Sequence, residues 1–168
     1  VDFSAAGVND SFGNLASSNA VTTNMAAIDA KDANVDVTVS STIANASAQN
    51  ITDLNALLAA TTGTVTATID GNQAQLVSIT SNASSAATNA LTITVDDVVT
   101  AAQGKLIVDT TSLATVDFSA AGVNDSFGNL ASSSAVTTNM GKIDAKDANV
   151  NVTVSSTIAN ASAQNITD

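Results

Sequence analysis

The first 53 residues of the chain return almost unchanged at its end. Val1–Asp53 and Val116–Asp168 differ at four positions, Asn19/Ser134, Ala26/Gly141, Ala27/Lys142 and Asp36/Asn151, with a constant offset of 115 residues. A duplicated part-domain has no obvious place in a globular enzyme. In a stacked or strung-out array it does, because each unit buries its apolar face against a neighbour. The sequence therefore reads as residues 1–115, one complete repeat period, followed by residues 116–168, the start of the next. A segment of a longer repetitive protein is the expectation.

Strands are indicated by alternation of apolar and polar residues. Val35, Val37 and Val39 alternate with Asp36, Thr38 and Ser40, and Val150, Val152 and Val154 repeat the pattern. Val65, Ala67 and Ile69 form a second set, and Leu91, Ile93 and Val95 a third. Val1 with Phe3 and Val116 with Phe118 give two shorter ones. Strand starts at 1, 35, 65, 91 and 116 divide the period into four sub-units. Connections of that length are far longer than hairpin turns and suit parallel strands joined by helical crossovers.

The connections carry helix signals. Thr52 or Asp53 is placed to cap a helix presenting Leu54, Leu57 and Leu58 on one face, with Gly63 beyond its end. Asp96 or Asp97 is placed to cap a helix through Val98, Val99 and Ala102, ending near Gly104. Asn72 is placed to cap a short turn through Leu76 and Ile79. Helices this short need tertiary packing. The expected fold is α/β, a repetitive solenoid of parallel strands with short helical crossovers and four coils per 115-residue period. The alternative is a string of immunoglobulin-like β-sandwich modules. That fold asks for about seven strands with frequent turns, often around a buried Trp, and the chain has no Trp.

Two stretches resemble repeats of very large bacterial surface proteins, notably those of marine cyanobacteria. They are Asn50–Ile69, NITDLNALLAATTGTVTATI, and Ala90–Ser112, ALTITVDDVVTAAQGKLIVDTTS. Such repeats pair an Asp-Leu-Asn-Ala-Leu helix with a Thr-Gly-Thr-Val strand. The resemblance covers the middle of the period and not Val1–Asp32. It implies a giant secreted protein, extracellular or at the cell surface, with an adhesive, fibrous or coat role. It brings no catalytic residue. The glycine-rich calcium-binding nonapeptides that accompany such repeats are absent here.

Composition narrows the chemistry. All 15 acidic residues are Asp, the only basic residues are four Lys, and the net charge is −11. That balance disfavours nucleic acid and anionic membranes and favours solubility and attraction of cations. No apolar run has the length of a membrane span. Without His, Cys, Glu, Tyr or Arg, the usual catalytic bases, nucleophiles and oxyanion clamps are missing, so no enzyme is expected. Calcium is the better chemical candidate, since it takes oxygen ligands in numbers. Asp70 and Asn72 flank a glycine turn. Asp29, Asp32 and Asn34 precede a strand, and Asp144, Asp147 and Asn149 repeat them. Asp and Asn in turns mostly serve the backbone, and that reading is favoured for each.

The outward strand positions form expected ladders: Asp36, Thr66, Thr92, Asp117 and Asn151, then Thr38, Thr68, Thr94, Ser119 and Thr153. Hydroxyl ladders on a flat sheet suit an ordered surface such as a polysaccharide, a mineral or ice, although Thr is also an ordinary strand residue. The leading expectation is a structural repeat segment acting through stacking and self-assembly with further copies of the repeat. A binding module using the Thr/Asp face is the alternative.

Overall fold

A computed structural model describes residues 3, 6–80 and 89–158. The first repeat copy contains β1 (Val8–Asp10), α1 (Phe12–Leu15), β2 (Ala16–Ser17), β3 (Ala20–Val21), α2 (Thr23–Asp29), β4 (Val37–Val39) and α3 (Ala48–Ala60). The middle of the period adds β5 (Val65–Gly71), α4 (Gln73–Leu76), β6 (Ala90–Val95), α5 (Ala101–Val108) and β7 (Val116–Asp117). The second copy then repeats the first, with β8 (Val123–Asp125), α6 (Phe127–Leu130), β9 (Ala131–Ser132), β10 (Ala135–Val136), α7 (Thr138–Asp144) and β11 (Val152–Val154).

The fold is mixed α/β, with a parallel sheet and short helices. Five strands lie in the order β1-β4-β5-β6-β7, so spatial order follows chain order, and each adjacent pair is parallel. In the second copy β8 pairs with β11, also parallel. Among the described residues, one parallel bridge, Val99 to Val123, joins the two sets. Parallel pairing sets aside the immunoglobulin-like alternative, whose sheets are antiparallel.

Strand placement follows the alternation. The expected strands at 35, 65, 91, 116 and 150 are found as β4, β5, β6, β7 and β11. Of the strand expected at Val1, only Phe3 lies among the described residues. The strand that pairs with β4 in that copy is β1, with Val8 opposite Val37. The ladders are displaced by two residues from expectation. Thr38 faces Thr66, Thr68 faces Thr92, and Thr94 lies between Asp70 and Asp117. A shift of two keeps every side chain on its face, because the strand period is two. The alternation therefore fixes parity but not register.

The core forms as the pattern requires. Val37, Val65, Ile69, Leu91, Ile93, Val95, Phe118, Leu54, Leu57 and Leu58 are buried in one cluster. Val152, expected inside, is 47% exposed. It lies on β11, whose one partner among the described strands is β8. Thr66, Thr68 and Thr92 point outward as expected, and Thr94 is half-exposed.

Two caps differ from expectation. Helix α3 begins after Ser47, whose hydroxyl accepts from the Asn50 N–H while the Asn50 side chain accepts from the Ser47 N–H. This reciprocal box starts the helix a full turn before Thr52. Asp53 therefore sits inside α3, buried, where it accepts from the Asn19 N–H at 2.6 Å and from the Gln49 side chain at 2.9 Å. Helix α5 likewise begins after Thr100, boxed with Gln103, and not after Asp96 or Asp97. Gly104 lies within α5, which runs on to Val108. Asn72 caps α4 as expected, accepting from the Gln75 N–H. Nothing in the alternation pattern marks the β2–β3 hairpin. It turns at Ser18 and Asn19, both at positive φ, and the second copy turns identically at Ser133 and Ser134.

Candidate functional site: acidic turns, a threonine face and two ends

The acidic residues are distributed among backbone duties. Asp32 accepts from the Phe3 N–H at 2.7 Å, and its counterpart Asp147 accepts from the Phe118 N–H at 2.8 Å. Each pins the start of one coil to the end of a helix-containing connection 29 residues on. Asp147 also accepts from the Asn149 N–H. Asp36 accepts from the Thr64 N–H at 2.7 Å. Asp97 accepts from the Gln73 N–H at 2.6 Å, at the start of α4. Thus Asp32 and Asn72 of the calcium candidates have hydrogen-bonding roles, while Asp29 and Asp70 each keep one buried carboxylate oxygen without a partner.

The acidic groups that do come together are Asp70 and Asp96. Thr94 on β6 lies opposite Asp70 on β5, which brings the next outward residue of the following strand end alongside. The hydrogen bond that the protonated Asp96 carboxyl donates to Asp70 pushes the Asp96 pKa up, and burial and the charges of Asp70 and Asp97 add to it. Asp29 and Asp32 belong to a different connection from Asp70 and Asn72, so the four candidates do not form one site. Among the described residues, no three acidic side chains converge as a metal would require.

The exposed face of the sheet carries Thr38, Thr66, Thr68 and Thr92. Thr38 and Thr66 are Cα partners, as are Thr68 and Thr92. Ala90 opposite Thr66, and Asp70 and Asp117 on either side of Thr94, interrupt a uniform hydroxyl surface.

The two ends of the sheet are distinguished by comparing the copies. At the N-terminal end, Phe3, Val8 and Ile28 are half-buried, whereas Phe118, Val123 and Ile143 are buried. The difference is the preceding coil. Val99 bridges Val123, and α5 packs on α7 with Gly104 directly over Ile143. The Ala101 N–H at the start of α5 donates to Asp125 at 3.0 Å. Asp10 and Asp125 both accept from the next residue's N–H and from an Asn side chain four residues on. Those bonds hold both carboxyls below the usual range, the Asn bond contributing most in each.

At the C-terminal end the asymmetry is reversed. Val37 and Val39 are 0% and 6% exposed, while Val152 and Val154 are 47% and 44% exposed. In the first copy β5 pairs with β4, and α3 packs on the β2–β3 hairpin. In the second copy the corresponding position is an open apolar groove of about 390 Å³, lined by Phe127, Leu130, Val136, Met140, Val152 and Val154 among others. Its residues match Phe12, Leu15, Val21, Met25, Val37 and Val39 of the first copy one for one. The alternation pattern had marked these valines as core. What it could not supply is which coil covers them.

No helix among the described residues is long and apolar enough to cross a membrane. Compared with protein-family models, with curated proteins and with solved structures, the chain matches none.

Proposed function

We propose that this chain is a structural repeat segment of a large extracellular surface protein, fibre or adhesin. Its strands form a solenoid of four coils per 115-residue period, and its work is length, stiffness and stacking rather than turnover. The observation that carries this reading is that one coil covers the next within the chain: β5 adds to β4, Val99 bridges Val123, and α5 packs on α7. In a solenoid every coil is satisfied by the next, and stability grows by nearest-neighbour interfaces. Sequential parallel strands support the reading as well. The extracellular setting rests on the resemblance of the helix-strand stretches to surface-protein repeats.

At roughly 4.8 Å per strand, four coils advance about 19 Å. Polypeptides of two, four and six periods, viewed by electron microscopy, should be rods of constant width that lengthen by that increment per period. Particles that grow in all dimensions would refute the array.

A second reading is favoured by the exposed Thr38, Thr66, Thr68 and Thr92. On it, the sheet face binds a regular polar surface, such as a polysaccharide of the cell envelope. Pull-down on insoluble polysaccharide tests it, with Thr66→Val and Thr92→Val as the pair that should abolish retention.

A further inference from the structure

We propose that the lysine-bearing corner between α5 and α7 docks side by side onto the acidic corner of a second copy of this chain, formed by Asp70, Asp96 and Asp97. This adds a lateral contact to the array reading and rests on it.

The two corners follow from the topology. The strands of the sheet all run the same way, so their finishing ends share one edge and their starting ends the other. The helices carry the chain back between them. Asp70 stands near the end of β5, and Asp96 and Asp97 follow β6 directly, so all three lie on the finishing edge. Lys105 and Lys142 are in the last turns of α5 and α7, and Lys31 and Lys146 lie just past the ends of α2 and α7. All four lysines of the chain are therefore on the starting edge.

Three of them converge. Lys105 and Lys142 both reach the Asp109 carboxylate, at 2.5 and 2.6 Å. Lys146 donates to the carbonyls of Ser112 and Ala114, which carry no charge. Asp147 is engaged by the N–H groups of Phe118 and Asn149, and Asp144 lines a different groove, with Leu130 and Val152. Three ammonium groups thus share one carboxylate, in a chain of net charge −11. Beside them lies a pocket of about 340 Å³, with Val108, Thr111 and Ala145 in its wall. The Lys142 and Asp109 side chains are 46% and 37% exposed, so the corner is open to a partner.

Neither corner is a face between successive coils. In the first copy, where α3 and β5 follow, the positions matching Lys142, Ala145 and Lys146 are Ala27, Ala30 and Lys31, and all three are exposed. Asp70, Asp96 and Asp97 belong to the middle of the sheet, with β4 on one side and β7 on the other. Asp96 and Asp97 are nevertheless exposed, and Asp70 keeps one carboxylate oxygen without a partner.

Charge complementarity selects the occupant. A corner of three carboxylates with no cation matches a pocket with cations in surplus. Val98, next to Asp97 and 56% exposed, supplies an apolar group for the pocket wall. Each chain carries one corner of each kind, on opposite edges. The contact is therefore heterologous and repeats from chain to chain, setting rods side by side.

The test is sedimentation of the full chain at about 0.1 M salt, where a Debye length of ~10 Å screens the overall charge more than contacts at a few ångströms. Association that rises with concentration is expected, and it should fall at about 1 M salt. Lys142→Glu and Asp96→Lys, each checked as folded by its amide spectrum, should weaken it at least about fivefold, as turning a surface ion pair into a repulsion does. An equimolar mixture of the two variants should restore it, because the reversed corners then face each other. A monomeric parent, variants that associate as the parent does, or a mixture no better than its components would each overturn the assignment. So would a monomeric parent held on an acidic polysaccharide through Lys142, which would make a polyanion the occupant.

A dilution series of the parent followed by amide shifts is the second measurement. Resonances near Lys142 and Lys146 should move together with those near Asp96 and Asp97, and movement at one corner alone would overturn the pairing. Electron microscopy of multi-period polypeptides separates this contact from the array. Rods that pair side by side, and that Lys142→Glu disperses, are expected. Rods that never pair would remove the lateral contact and leave the array standing, whereas particles that are not rods would refute the array itself.

Discussion

Gly63 lies against the backbone of Asn34. A Cβ added to Gly63 would stand 2.5 Å from the Asn34 carbonyl oxygen and 2.6 Å from the Val35 carbonyl carbon. The turn is held there by the Thr61 hydroxyl, which donates to the Val35 carbonyl at 2.6 Å, and by the Thr62 N–H, which donates to the Ala33 carbonyl at 2.8 Å. These neighbours are main-chain atoms and cannot rotate aside. Gly63→Ala should destabilise the chain by about 3 kcal/mol in chemical denaturation, as overpacking against backbone does. Gly13→Ala is the control, because nothing lies within 4 Å of its Cβ position in α1. It should be neutral or stabilise by ~0.5–1 kcal/mol through helix propensity.

Val37 and Val152 provide an internal mutational control. They occupy the same place in the repeat, yet one is fully buried and the other 47% exposed. Val37→Ala removes two buried methyl groups and leaves a cavity, so it should cost about 2 kcal/mol. Val152→Ala should cost under ~0.5 kcal/mol. Equal losses by urea melts would mean that Val152 is covered in solution.

The alternation of apolar and polar residues makes the strand faces and the leucine face of α3 legible from sequence. Other features escaped for identifiable reasons. Parity survives a slip of two residues, so the Thr38–Thr66 register needed the tertiary pairing. Ser47 is inconspicuous as a cap in the sequence because Thr52 and Asp53 stand closer to the first leucine, although Ser47 and Asn50 satisfy two N–H groups reciprocally. Thr100 and Gln103 act in the same way behind the more conspicuous Asp96 and Asp97. Gly104 resembles a helix stop, but it is a close-approach position against Ile143. The β2–β3 turn has no glycine, and Ser18 and Asn19 take positive φ without that signal. The end faces were legible as core and illegible as ends, because burial depends on a neighbour rather than on the residue.

Lys142, which replaces the Ala27 of the first copy, reaches Asp109 at 2.6 Å, and Lys105 reaches the same carboxylate. Burial pushes the Asp109 pKa up, but the hydrogen bonds from Lys105 and Lys142 outweigh it and hold the carboxyl below its usual value. The pair is partly exposed, so Lys142→Ala should cost no more than about 1 kcal/mol, and the difference should fade at high salt. A depressed carboxyl pKa contributes stability that is present above the ordinary value of 3.8 and lost as pH falls through the folded-state value. The variant should therefore differ from the parent at neutral pH and converge with it in acid. Thermal melts at two salt concentrations across that pH range check both expectations.

Asp96 has the opposite sign. Its pKa is raised, first by the hydrogen bond that its protonated carboxyl donates to Asp70, then by burial and by the charges of Asp70 and Asp97. The charged form is thus less favourable in the fold than in the unfolded chain. Its contribution favours folding below the ordinary value of 3.8 and is lost as pH rises through the raised value. At neutral pH, Asp96→Asn removes a like charge beside Asp70 while its amide still donates a hydrogen bond there. The variant should melt at a higher temperature than the parent at pH 7, and the advantage should vanish as pH falls below the usual carboxylate range. Asp97→Ala is the contrasting change. It deletes the acceptor of the Gln73 N–H at the start of α4, so it should lower the melting temperature at pH 7. A gain from Asp96→Asn that persists unchanged at pH 3 would place its origin in packing rather than in the Asp70–Asp96 pair.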